Sequence, residues 1–65
     1  MSFPAAEEDL AIRERLDSIA EDLADLALDA LRERDGERER RITRARRAVE
    51  KASHLLSANS GADDE

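Results

Sequence analysis

The side chains best able to do chemistry in this chain are cations. Arg40, Arg44, Arg47, Lys51 and His54 recur at spacings of three and four, so one helix face would carry all five. Such a stripe can dock an anionic partner: a phosphate backbone, an acidic peptide or a lipid head group. It can also be a solvated basic face that balances acids within the chain or across a dimer. The second role is the expectation, because the net charge is −6 and the only aromatic is Phe3. Repulsion then opposes polyanions, and no aromatic platform is present to stack bases. Arg38 and Arg41 fall nearer the apolar side, where pairing with Glu33 or Asp29 is expected of long side chains that snorkel.

Other chemistry finds few donors. His54 is the only imidazole and cysteine is absent, so a zinc-type ligand set cannot be assembled and no metal or cofactor is expected. The sequence has no glycine-rich phosphate loop and no Ser-His-acid constellation. Acid pairs such as Glu21 and Asp25 read as exposed helix faces. No catalytic residue is assigned, and the chain is not expected to be an enzyme.

The elements that would carry these residues are helices. Charged residues form 43% of the chain, and Ala, Leu, Glu and Arg dominate its composition. That mixture belongs to long helices and coiled coils, and strand formers are scarce. Pro4 suits a first helical turn, and Glu7, Glu8 and Asp9 follow at the positive end of the helix dipole. From there Ile12, Leu16, Ile19, Leu23, Leu26 and Ala30 recur at spacings of four and three, beside a second row of Ala20, Ala24, Ala27 and Leu31. Together they cover an arc of roughly 160°, wide enough to touch more than one neighbouring helix.

From Arg32 to Arg41 the sequence is charged except for Gly36. Asp35-Gly36 is the strongest turn signal, with Gly36 as the expected left-handed residue ending the first helix. Ile42, Ala45, Val49, Ala52 and Leu56 then form the main apolar row of a second helix. The expected organisation is a helix over 4–34, a turn at 35–36, a helix over 37–57 and a disordered acidic tail at 58–65. An all-α antiparallel hairpin turning at Gly36 sets residues whose numbers sum to about 72 opposite each other. Ala30 then meets Ile42, Leu23 meets Val49 and Leu16 meets Leu56. A single unbroken helix is the rival, but it would place Arg34, Arg38 and Arg41 in the seam.

A 65-residue chain without disulfides or metal buries little surface alone. The hairpin is therefore expected to dimerise into a four-helix bundle. Its core and oligomer interface would be Leu16, Ile19, Leu23, Leu26, Ala30, Ile42, Ala45, Val49, Ala52 and Leu56. No apolar run approaches the roughly 20 residues of a membrane span, so no membrane partner is expected. Met1-Ser2-Phe3-Pro4 lacks a basic and an apolar region, and the lack of cysteine fits a reducing compartment, so a cytoplasmic location is expected.

Two stretches resemble known proteins. Ile12-Arg13-Glu14-Arg15-Leu16-Asp17-Ser18-Ile19 resembles the opening of the first helix of the all-helical chorismate mutases, where the pattern is apolar-Arg-x-x-apolar-Asp-x-Ile. The resemblance implies an active-site arginine at Arg13. The family's next arginine on that helix would fall near Ala30, and its third helix has no counterpart. Glu39-Arg40-Arg41-Ile42-Thr43-Arg44-Ala45-Arg46-Arg47-Ala48-Val49-Glu50-Lys51-Ala52 is similar to the end of short uncharacterised actinobacterial helical-hairpin proteins, which bring no activity to transfer. The expected function is a small self-association and protein-interaction module. A nucleic-acid-associated protein using the basic stripe is the alternative, and a chorismate-mutase-like fragment is third.

Overall fold

The computed structural model describes residues 4–57, with side chains from Glu7 onward. Two helices, α1 (Pro4–Arg32) and α2 (Gly36–Ser57), pack against each other as a hairpin. Each helix follows the dipole rule: Glu7 opens α1 and Arg32 closes it, while Glu37 and Glu39 open α2 and His54 lies in its last turn. The segment 58–65, expected as an acidic tail, lies outside the described residues.

The turn is shorter than a loop and is built from backbone bonds. The Asp35 amide donates to the Ala30 carbonyl at 2.9 Å, and the Arg34 amide donates to the Leu31 carbonyl at 3.0 Å. This pair of bonds is the Schellman arrangement, which requires a left-handed residue between the two helices. Arg34 takes that conformation, with φ of 62°. Gly36, expected to hold it, has no positive φ and is instead the first residue of α2. The reason lies in Asp35. Its Oδ1 accepts a hydrogen bond from the Arg38 amide at 3.0 Å, which makes it the N-cap of α2. With Asp35 as the cap, Gly36 must be helical and the left-handed step falls one residue earlier.

The seam is lined by small residues. Ala20 is 7% exposed, Ala30 0% and Ser53 7%, and no large side chain is fully buried among the described residues. Along α1 the half-buried Arg13, Leu16, Leu23 and Ala27 join Ala20 and Ala30 at alternating spacings of three and four. Along α2 the half-buried Glu39, Ile42, Arg46 and Val49 continue to Ser53 in the same rhythm. That is the narrow repeat of a two-helix coiled coil. Two polar contacts fix the register. The Ser53 hydroxyl donates to Asp17 Oδ1 at 2.6 Å, and Arg38 Nη1 lies 3.7 Å from Glu33 Oε1. Opposed residue numbers thus sum to 70 and 71, within two of the value expected from the turn.

This geometry makes opposite demands on two neighbouring positions. Gly36→Ala should be neutral or stabilise by about 0.4–1 kcal/mol, because its Cβ would meet only Arg40 Nη1 at 3.5 Å. Arg34→Gly should stabilise by about 1 kcal/mol, by relieving a left-handed non-glycine residue. Urea unfolding at one fixed protein concentration measures both. A loss of stability in Gly36→Ala together with no gain in Arg34→Gly would place the left-handed residue at Gly36 instead.

Candidate interaction surfaces

Three faces of the hairpin differ in chemistry. The first is an edge next to the seam. Ile12, Ile19 and Leu26 repeat every seventh residue and are 41%, 46% and 39% exposed. They lie one step around α1 from Leu16, Leu23 and Ala30. Antiparallel helices of the same hand bring matching flanks together, so the same edge of α2 carries Ala45 and Ala52, backed by Ala48 and Leu55. Leu56 is also exposed at the end of the α2 row. The expected interface residues therefore divide. Leu16, Leu23, Ala30, Ile42, Val49 and Ala52 are half-buried or buried in the hairpin, whereas Ile19, Leu26, Ala45 and Leu56 face outward.

The opposite edge is polar. Beside the Ser53–Asp17 bond, the Thr43 hydroxyl donates to Glu39 Oε2 at 2.8 Å. Arg46 Nε stands 3.6 Å from Glu50 Oε2. That distance makes an ion pair but not a hydrogen bond, and the buried Nε has no hydrogen-bond partner. Asp17, Glu21, Arg46 and Glu50 line a shallow depression of about 230 Å³ over Ala20 and Ala24. Nearer the turn, Leu28 and Leu31 are exposed beside Glu39, Thr43 and Arg46.

The third face is the basic stripe. Arg40, Arg44, Arg47, Lys51 and His54 are all exposed on α2. Arg40, Arg41 and Arg44 line an open depression with Glu37, and Arg40, Arg44 and Arg47 line another with Glu39 and Thr43. The ion pairs among the described residues are Arg32–Asp29, Arg38–Glu33 and Arg46–Glu50. Arg38–Glu33 ties the start of α2 to the turn, and the other two lie within α1 and within α2. The expected approach of Asp29 to Arg41 is replaced by the pair with Arg32 at 3.4 Å. None of the stripe's cations contacts an acid of α1 in this way, because the outer faces of the two helices point apart.

The seam also holds residues that the apolar rows did not mark: Ser53, Arg46, Glu39 and Arg13. Arg13, the residue singled out by the chorismate mutase resemblance, is half-buried at the open end of the seam, and its Nε is buried without a hydrogen-bond partner. The common heptad phase of positions 39, 42, 46, 49 and 53 was the available signal for the others.

No protein-family model, curated protein or solved structure matches the chain. Among the described residues no helix is long and apolar enough to cross a membrane. No three His, Asp or Glu side chains gather there into a metal-holding group.

The Ser53–Asp17 bond is the main polar tie across the hairpin, and a double-mutant cycle isolates it. Ser53→Ala and Asp17→Ala should each destabilise by about 1 kcal/mol, with a coupling of similar size: a hydrogen bond to a charged group is worth about 1.5–3 kcal/mol, and the exposure of Asp17 to water reduces it. Additive losses in urea unfolding would mean that the bond does not fix the register.

Proposed function

We propose that the protein is a small non-enzymatic self-association and protein-interaction module, whose hairpins pair through the apolar edge into a four-helix bundle. The observation that carries this is the row Ile12, Ile19 and Leu26, exposed while the buried residues of the hairpin are only Ala20, Ala30 and Ser53 among those described. A contiguous apolar edge of that length marks an interaction site. Pairing also leaves the basic stripe outward, available to a further protein partner. A cytoplasmic setting fits a chain without cysteine.

Light scattering with refractive-index detection tests the pairing, since the chain has no Trp or Tyr to absorb. At low micromolar concentration the mass should be twice 7.3 kDa. Ile19→Glu should return it to the monomer value, because the carboxylate would be buried in the dimer. In an isolated hairpin the same exposed position would tolerate Glu within about 0.5 kcal/mol. A wild-type monomer, or a variant that stays dimeric, contradicts the reading.

A second reading has one observation in its favour. Among the described residues the stripe's cations make no ion pair with α1, which favours a role in neutralising phosphates. Against it stand the net charge of −6 and the lack of stacking aromatics. In a gel-shift assay at about 100 mM salt we expect no binding of duplex DNA or RNA. Binding that weakens steeply with salt and disappears in Arg40→Glu/Arg47→Glu would put the nucleic-acid reading first.

A further inference from the structure

We infer that the second copy seats on the apolar edge with its turn at the same end, so that each acidic α1 lies antiparallel to the basic α2 of the other copy. This inference rests on the self-association proposed above and adds its orientation. Two-fold pairing of a hairpin through one face allows two arrangements. With the two-fold axis across the bundle, the turns lie at opposite ends and each helix packs on its own counterpart. With the axis along the bundle, the turns share an end and α1 packs on the second copy's α2. Charge separates the two. α1 carries nine acids against three arginines, and α2 carries seven bases against three acids. Like helix on like helix would set acid against acid and base against base, whereas α1 on α2 joins opposite signs at both contacts.

The same arrangement also fixes its own register. A two-fold axis along the bundle leaves heights unchanged, so residues level within one hairpin are level between the copies. Those are the pairs whose numbers sum to 70 or 71. Ile19 then meets Ala52 of the second copy, and Leu26 meets Ala45 of the second copy. A large side chain lies beside a small one at each level, which lets the layers interdigitate. One step further around α1 than Leu26 stands Asp29, exposed and paired only with Arg32 of its own helix. It comes level with Arg41 of the second copy, and Arg41 has no ion-pair partner among the described residues. Glu33 and Arg38, 3.7 Å apart on this edge, are joined by their counterparts into an alternating ring of four charges. At the open end, the acidic starts of the two α1 helices sit on the bundle diagonal, which keeps Glu7, Glu8 and Asp9 of the copies apart.

The lack of native cysteine makes disulfide trapping clean. Ile19→Cys and Ala52→Cys are prepared as separate single variants, then oxidised alone and as a refolded 1:1 mixture. In the same-end pair the two sites lie on facing helices, about 1.5 Å apart in level and within disulfide reach. Each site faces its own counterpart only across the diagonal, where helix axes stand about 11–14 Å apart. The expected result is a covalent heterodimer in the mixture, identified by mass under denaturing conditions, and little covalent product from either variant alone. Strong cross-linking of either variant with itself would put like helix on like helix and overturn this inference while leaving self-association standing. A dimer by light scattering that yields no covalent heterodimer would overturn it too. A charge exchange reads the orientation without touching the apolar row. Asp29→Arg and Arg41→Asp should each raise the concentration needed for pairing severalfold. Their 1:1 mixture should recover the wild-type value, because unlike variants meet as Arg with Asp at both contacts. A mixture no better than its components would overturn the orientation. A wild-type chain that stays monomeric would overturn the self-association reading itself.

Discussion

Two helices can approach closely only where their facing side chains are small, and this hairpin is organised around that constraint. Ala20, Ala27 and Ala30 on α1 and Ser53 on α2 occupy the seam. Their size brings the backbones together and lets the Ser53 hydroxyl reach Asp17 across the interface. The consequence is a core in which no large aliphatic side chain is fully buried, with Leu16, Leu23, Ile42 and Val49 only half-buried among the described residues. Burial of a Leu or Ile side chain stabilises by about 1.5–3 kcal/mol, whereas Ala offers a fraction of that. Three further large side chains of α1, Ile12, Ile19 and Leu26, fall on the flank and stand exposed. A tight seam and an uncovered apolar edge are thus two results of one choice of residues.

The two edges of the hairpin then specify how it can assemble. The polar edge holds Glu39, Thr43, Arg46 and Glu50 in local contacts, with exposed Leu28 and Leu31 confined to its turn end. The apolar edge offers a continuous row. The outer faces add a long-range preference. α1 is predominantly acidic and α2 predominantly basic, yet among the described residues no ion pair joins them; Arg38 of α2 pairs with Glu33 of the turn. Their complementarity is therefore free to act between copies, or between the stripe and an acidic partner.

Much of the fold is legible in the sequence, because helices of Ala, Leu, Glu and Arg announce themselves by composition and by a repeat near 3.6. The charged interval around Asp35-Gly36 marked the turn, and its length gave the register to within two residues. The left-handed residue was misplaced because glycine favours that conformation by intrinsic preference, whereas the N-cap bond of Asp35 decides it here. The seam was blurred for a different reason. An apolar arc of roughly 160° contains both the face turned to α2 and the face left open, and periodicity alone does not divide them. Ser53 and Arg46 escaped notice because polarity is a poor guide to position in so thin a core. Ser53 fits by size, and Arg46 fits by laying its stem along the seam. The stripe was legible as a face, since Arg40, Arg44, Arg47, Lys51 and His54 are all exposed on α2. Its freedom from ion pairs with α1 was not, because that depends on how the two outer faces diverge.

The central claim is that the apolar edge must be covered for the chain to be stable. Thermal unfolding followed by circular dichroism across a hundredfold range of protein concentration tests it most directly. If folding and pairing are coupled, mass action raises the midpoint steadily with concentration, and dilution lowers helicity even at fixed temperature. A cooperative midpoint that does not move over that range would show a hairpin stable by itself, and would contradict the account.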